Sequence, residues 1–220
     1  ADSFMKDNTD LRSFIRTLVQ SNAYQLSSEY EGEWKYEYLT MYARHYPRRL
    51  DAEEIHDAIL QTTGVPQKYT WPVVNNQTVL QGTALQQSSP VESAMKLPDI
   101  NEPRNNGAVN TFLQTFTRGN RDTAVRSQAG SILQQLSIMN DAFVLNRTKI
   151  TASPALQSIA KIPENNALLD EMFLKFLARK PSDHERDKAV NYLAKAPVRN
   201  AAIEDLAWAC INKLDFLFSY

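Results

Sequence analysis

Apolar residues recur at helical spacing through most of this chain, and that periodicity constrains the fold more than any other feature. Near Leu11, for example, apolar side chains fall at i, i+3, i+4, i+7 and i+8, which places them on one helix face. The same spacing predicts further helices that begin near residues 51, 108, 130, 153, 168, 182 and 200. The sequence therefore predicts a mainly α protein, built as a helical bundle.

Capping residues fix where several of these helices begin and end. Asp51 and Glu54 have the spacing of a capping box, in which each side chain accepts a hydrogen bond from the other residue's amide, and Gly64 is a stop signal. Ser182 and Glu185 have the same spacing. Residues 130–145 carry a wide apolar arc, which predicts one buried central helix, and the last helix is predicted over 200–218.

Residues 65–107 interrupt the helical pattern. This stretch contains five prolines and many Gln and Asn residues, and proline disfavours helix both at its own position and at the residue before it. We expect a long irregular insert here, with one helical turn near 91–95. A short β-hairpin with strands near 69–74 and 78–80 is also compatible with the sequence. An insert of this length in a compact domain is often functional.

Charge and cysteine content exclude several classes of function. The 220 residues include 24 Lys and Arg against 25 Asp and Glu, so the chain lacks the basic excess of a non-specific nucleic-acid binder. No apolar run reaches the roughly 18–20 residues that span a bilayer. The lone cysteine, Cys210, excludes an intrachain disulfide and is interpreted as a small buried apolar residue. We therefore expect no nucleic-acid partner and no membrane span.

No complete catalytic or cofactor-binding motif is present in the sequence. Glu53 and His56 form a Glu-x-x-His step, which puts both side chains on one helix face, but di-iron bundles use two such steps and only one occurs here. We interpret this pair as part of a solvated helix face, and His45 and His184 as surface residues. The sequence thus predicts no metal ligand, no cofactor and no catalytic residue, and it argues against an enzyme.

Two arginine-rich stretches, 44–49 and 118–126, are less ordinary. Guanidinium groups can bind carboxylates or sulfates with two parallel hydrogen bonds. They can equally hold a long loop to a helical body through carbonyl and carboxylate oxygens, and we favour that structural interpretation. An aromatic segment lies close by in sequence, and its rings either stack on sugars or form a small core. Its members are Tyr24, Tyr30, Trp34, Tyr36 and Tyr38.

Several motifs follow one another in an order that resembles a known family. They are S-N-A-Y-Q-L-S-S at 21–28, R-R-L-D-A-E-E-I-H-D-A at 48–58, A-M-K-L-P-D at 94–99, the long stretch 116–140, R-K-P-S at 179–182 and the closing residues 212–218. Together they resemble the domain of unknown function 1553 family (DUF1553), found in large planctomycete-type surface proteins. The resemblance spans essentially the whole chain and implies that 1–220 is one helical domain, the C-terminal part of a larger protein.

The resemblance implies a location and partners more than a reaction. It implies an exported bacterial protein, periplasmic or at the cell surface, with an upstream region and frequently a cytochrome c-like module as partners. The chain has no Cys-x-x-Cys-His step, so it would hold no covalent haem itself. The densest shared motif also supplies most of a candidate polar cluster for binding or structural support, which we predict to comprise Arg118, Arg121, Arg126, Gln134 and Asn140.

Two hypotheses for function follow. The leading one is a non-catalytic structural or binding module that contacts neighbouring domains or polysaccharide. The alternative is part of a hydrolase or redox-linked enzyme whose site is completed by upstream domains. Geometry separates them: arginines buried against internal carboxylates favour a structural role, whereas arginines that converge on an open cleft favour a site.

Overall fold

The computed structural model describes residues 4–5, 9–69, 92–97, 100, 106–119, 125–127 and 129–219. Within these residues the chain is mainly helical, which confirms the predicted fold class. The chain divides into two compact units, one formed by residues 1–48 with 218–220 and the other by residues 49–217. No helix in the described part of the chain is both long and apolar enough to cross a membrane.

The first unit contains helix α1 (Leu11–Val19), which begins and ends as the periodicity predicts. Its N-cap is Asp10, whose carboxylate accepts a hydrogen bond from the amide of Arg12 at 2.9 Å. A 3₁₀ helix follows at Tyr36–Met41. Strand β1 (Arg48–Arg49) and strand β2 (Phe218–Ser219) form a two-stranded sheet.

The second unit is built from short helices. They are α2 (Ala52–Thr63), a 3₁₀ turn (Ala94–Lys96), α3 (Gly107–Thr115), α4 (Ile132–Asn140), α5 (Ala142–Arg147), α6 (Pro154–Ala160), α7 (Asn165–Leu177), α8 (Asp183–Lys195), α9 (Arg199–Ile211) and α10 (Leu214–Leu217). Helix α2 packs against α3, α5 and α6, and α9 packs against α6, α7 and α8. Apolar residues of α2, α3, α7 and α9 supply most of the large, fully buried side chains among the described residues.

Local capping places α2 where the sequence predicts it. Asp51 and Glu54 form the expected capping box, and Gly64 ends the helix in the left-handed conformation with φ of 69°. Ser153 caps α6 by accepting from the amide of Leu156 at 3.1 Å, and its hydroxyl donates to the carbonyl of Thr63 at 2.6 Å. This buried serine therefore ties the start of α6 to the end of α2.

The prediction of a single buried helix over 130–145 is wrong in two respects. Asp141 has an extended backbone, and it serves both as the C-cap of α4 and as the N-cap of α5, so the chain forms two helices instead of one. In α4 only Gln134 and Ile138 are buried, while Ile132 and Leu133 are 79% and 71% exposed. The cause is an aspartate side chain that caps better than it continues a helix.

The predicted last helix, 200–218, is also interrupted. Helix α9 ends at Ile211, where the amide of Lys213 bonds the carbonyl of Cys210 in a tighter turn, and α10 and β2 follow. In the insert, residues 94–96 form a 3₁₀ turn that overlaps the helical turn predicted near 91–95. The predicted β-hairpin over 69–80 lies outside the described residues apart from Tyr69.

Candidate functional site

The first polar cluster is centred on Glu53, in the first turn of α2. The Nε of Arg118 donates to Glu53 Oε1 at 2.9 Å, and the two side chains are only 3% and 6% exposed. Arg118 also donates to the carbonyl of Ile100 at 2.9 Å, which belongs to the insert. This ion pair is therefore buried and joins the segment after α3 to both α2 and the insert.

Arg126 reaches the same carboxylate from the chain that leads into α4. It donates to Asp51 Oδ2 at 2.7 Å, to Glu53 Oε1 at 3.3 Å and to the carbonyl of Gly119 at 3.1 Å. The side chain of Arg126 is 43% exposed, so this part of the cluster faces solvent. Glu53 Oε2, by contrast, is buried and accepts no hydrogen bond from the described residues.

A third guanidinium, that of Arg49, lies in the same region. It donates to Gln134 Oε1 at 3.0 Å and to the carbonyl of Ser127. Burial lowers the pKa of Arg49, although the charge of Asp51 opposes that effect. Gln134 also closes the capping box of α4, because the same Oε1 accepts from the amide of Ser131 at 3.3 Å. Arg49 thus links α2 to the start of α4.

Thr117 shows how strongly this cluster constrains the chain. This β-branched residue has a φ of 58°, in the left-handed region that such residues rarely adopt. Its hydroxyl donates to the carbonyl of Ser127 at 2.6 Å and accepts from Arg49 at 3.3 Å. The hydrogen bonds of the cluster therefore hold a conformation that costs on the order of 1–3 kcal/mol.

Three of the predicted cluster residues, Arg118, Arg126 and Gln134, come together in this way. Asn140 does not join them, because its exposed side chain donates to the carbonyl of Leu136 in its own helix at 3.0 Å. Arg121 lies outside the described residues. The cluster also contains two residues that were not predicted for it. Arg49 lies in the first arginine-rich stretch, and Glu53 lies in the Glu-x-x-His step.

The second polar cluster surrounds His56, which is wholly buried. Its ring stacks on Phe143 with centroids 4.4 Å apart, Nδ1 lies 3.2 Å from Asp57 Oδ1, and the hydroxyl of Tyr69 lies 3.0 Å from Nε2. Burial lowers the pKa of His56, and Asp57 partly opposes this shift. The prediction that Glu53 and His56 share a solvated face is therefore wrong, because both side chains face the core.

Asp57 anchors the insert to α2. Its carboxylate accepts from the hydroxyl of Ser93 and from the amides of Ala94 and Met95, the amides at 2.7 and 3.0 Å. Burial raises the pKa of Asp57, but the hydrogen bonds from His56, Ser93 and these amides outweigh that effect and leave the pKa below its ordinary value. Within the described residues, this cluster therefore joins the insert to α2.

A third feature, an aromatic cluster, lies in the first unit. Trp34 packs edge to face with Tyr30, Tyr38 and Tyr46, at centroid distances of 5.3, 5.6 and 6.1 Å. The guanidinium carbon of Arg44 lies 4.3 Å from the centroid of the Trp34 ring. These rings are partly exposed, so the arrangement is intermediate between the open sugar platform and the buried core that the sequence left as alternatives.

Other chemistry is limited in the part of the chain that the structure describes. No group of three or more His, Cys, Asp or Glu side chains there is placed to hold a metal ion. Cys210 is buried, and burial raises the pKa of its thiol to about 12, so the thiolate is strongly disfavoured at neutral pH. It packs as the small apolar residue that the sequence predicts.

Comparison with known proteins finds one family. The family model described as "PSD1: Protein of unknown function (DUF1553)" matches residues 1–193. No curated protein and no solved structure matches the chain.

Proposed function

The chain belongs to the DUF1553 family of proteins of unknown function, whose model covers residues 1–193, and from that premise we propose that it is a non-catalytic structural and binding module. In this proposal it is part of an exported bacterial multidomain protein, periplasmic or at the cell surface. Its partners are the upstream region of the same protein, a cytochrome c-like module and polysaccharide. The likeness of its motifs to those of planctomycete-type surface proteins supports the location.

The observation that carries the proposal is the buried ion pair between Arg118 and Glu53. Its partners are 2.9 Å apart and nearly inaccessible, and the neighbouring guanidinium groups of Arg49 and Arg126 are likewise hydrogen-bonded to oxygens of the protein. Guanidinium groups that serve internal carboxylates and carbonyls are not available to polarise a substrate. The arrangement supports a bracing role, in which charged side chains tie loops to α2.

The bracing role predicts that Arg118→Met lowers stability. Removing one partner of a buried ion pair leaves the other charge uncompensated, which typically costs about 3–5 kcal/mol. The free energy of unfolding, measured in urea, should therefore fall by that order, and Arg118→Met combined with Glu53→Leu should recover part of the loss. The exposed Arg16→Met is the matched control and should change stability by less than about 0.5 kcal/mol.

The binding role is tested separately with the whole chain. Protein is incubated with a panel of insoluble and soluble polysaccharides, and both the bound fraction and newly formed reducing ends are measured. Retention without new reducing ends supports the proposal. Release of sugars that is lost in Arg126→Ala, with stability unchanged, would contradict it and favour the hydrolase alternative.

A further inference from the structure

Residues 24–46 have an unusual aromatic composition. They contain six of the nine tyrosines and one of the three tryptophans, but none of the nine phenylalanines. Every ring in the segment therefore has an apolar face and a polar tip. Tyrosine and tryptophan suit surfaces that are partly wet, whereas an apolar core of this size has no need to exclude phenylalanine.

The structure arranges part of this segment into a fixed aromatic cluster around Trp34. Tyr30 and Tyr38 also contact each other, at 5.7 Å, and the hydroxyl of Tyr46 donates to the carbonyl of Tyr38 at 3.3 Å. Tyr30 nevertheless remains 38% exposed. The cluster thus holds its rings in place by packing and still presents an aromatic surface to solvent.

Arg44 lies on this cluster and has no oxygen partner among the described residues. Its guanidinium is 4.3 Å from the centroid of Trp34 and 5.5 Å from that of Tyr46, and its Nε is buried. It forms no hydrogen bond or ion pair with the described residues, while its two terminal nitrogens keep access to solvent. Arg44 is therefore fixed by stacking, with its hydrogen-bond donors unused.

Buried and partly buried arginines in the described part of the second unit differ from Arg44 in their hydrogen bonding. Each of them donates to an oxygen of the protein: Arg49, Arg118, Arg147, Arg179, Arg186 and Arg199. Lack of nearby carboxylates does not explain the difference, because four glutamates precede Arg44 by fifteen residues or fewer. Glu29, Glu31, Glu33 and Glu37 are all exposed, and none of them pairs with it.

We propose that Arg44 and the rings around Trp34 form a binding site for an acidic sugar unit of a polysaccharide. The planar guanidinium donates two parallel hydrogen bonds to a carboxylate or a sulfate group, and the sugar ring packs on the exposed face of the neighbouring tyrosines. Stacking on Trp34 fixes the orientation of the donors before binding, which reduces the entropy lost on binding. This inference rests on the polysaccharide contact in the proposed function.

The nearby glutamates oppose the binding of an anion but do not prevent it. Exposed carboxylates are screened over about 8 Å at physiological ionic strength, whereas a group in direct contact with Arg44 is not. Their repulsion limits the site to one acidic group, so a single acidic sugar fits better than a continuous polyanion. Replacing one of them, in Glu33→Gln, should therefore leave binding unchanged or make it tighter.

Titration of the whole chain with three oligosaccharides tests the site. The probes are a galactan oligomer with one terminal galacturonate unit for the carboxylate, the same oligomer with one sulfated galactose unit for the sulfate, and the neutral galactan oligomer of equal length. We expect one or both acidic probes to bind at least about tenfold more tightly than the neutral one, because a hydrogen bond to a charged group contributes more than a neutral one. Arg44→Gln should abolish that preference, and the exposed Arg16→Gln should preserve it.

The outcomes separate this inference from the proposed function. Equal affinity for neutral and acidic probes, unchanged in Arg44→Gln, would overturn the acidic-sugar site and leave the polysaccharide contact standing. Binding to an oligoglutamate peptide in preference to both acidic sugars would overturn it in favour of a protein partner. Failure to bind any of the probes would also overturn the acidic-sugar site. The bracing role is tested separately, by the stability of Arg118→Met. Near-ultraviolet circular dichroism of Arg44→Gln confirms that the aromatic cluster is intact.

Discussion

Ala178 ends α7 in a conformation that favours glycine. Its φ is 54°, its side chain is exposed, and it is the C-cap residue of the helix. A side chain in the left-handed region costs about 1–2 kcal/mol, and glycine returns part of this as unfolded-state entropy. Ala178→Gly should therefore raise the free energy of unfolding by about 0.5–1 kcal/mol, which is a rise of about 1–4 °C in Tm for a chain of this size.

A matched substitution shows whether the backbone conformation is the cause. Ala209 is also exposed but lies inside α9, where glycine lowers stability by about 1 kcal/mol relative to alanine. Ala209→Gly should thus lower Tm while Ala178→Gly raises it. Two changes of the same sign would contradict the assigned conformation of Ala178.

For individual residues, the sequence alone could not predict which polar side chains are buried in the two polar clusters. The Glu-x-x-His spacing correctly placed Glu53 and His56 on one helix face, but it carried no information about which face is buried. Burial was decided by partners far away in the chain, since Arg118 lies 65 residues from Glu53 and Tyr69 lies 13 residues from His56. Periodicity reports the neighbours of a residue along a helix and is silent about such pairings.

At the scale of secondary-structure elements, capping residues were more informative than apolar spacing. The starts of α2 and α8 coincide with predicted capping boxes, because a cap is a local hydrogen bond that needs no tertiary partner. The prediction of one helix over 130–145 is wrong because it rested on the apolar spacing alone, which does not show where a helix is interrupted. Asp141 carried the missing signal, as an aspartate in the middle of the predicted helix.

Asp141 gives a direct test of this break. Its carboxylate accepts from the amide of Phe143 at 2.8 Å and begins α5, which carries the Phe143 ring under His56. Asp141→Ala removes that acceptor and should lower the free energy of unfolding by about 1 kcal/mol in urea denaturation. Asp141→Asn retains an acceptor and should lose much less. Equal losses in both variants would show that charge, and not capping, accounts for the effect.

For the molecule as a whole, paired carboxylates couple stability to acidic pH. Hydrogen bonds from Arg179 hold the pKa of Glu185 well below its ordinary value, and Lys213 adds to the shift against the effect of burial. A carboxyl group whose pKa is lowered by folding stabilises fully above its unfolded pKa, about 4.3 for Glu, and loses that contribution as pH falls below it. As the pH is lowered below about 4.3, the urea concentration at the unfolding midpoint should decrease. Glu185→Gln should make that decrease smaller, whereas the exposed Glu171→Gln should leave it unchanged.

His56 adds a dependence at higher pH. Among the charged and titratable groups around it, Asp57 favours its protonated form, but burial and the positive charges of Arg147 and Arg118 lower the pKa. In the unfolded chain His56 binds a proton as the pH falls through about 6.5, whereas in the folded chain it binds that proton only at lower pH. The contribution of His56 to the free energy of unfolding is therefore fully present above about pH 6.5. It decreases below that pH by up to about 1.4 kcal/mol per pH unit. His56→Gln should reduce the pH dependence of the urea midpoint between pH 5 and 6.5, even though it lowers the free energy of unfolding overall. The exposed His184→Gln should keep the slope, and a slope that persists in His56→Gln would place the titrating group elsewhere.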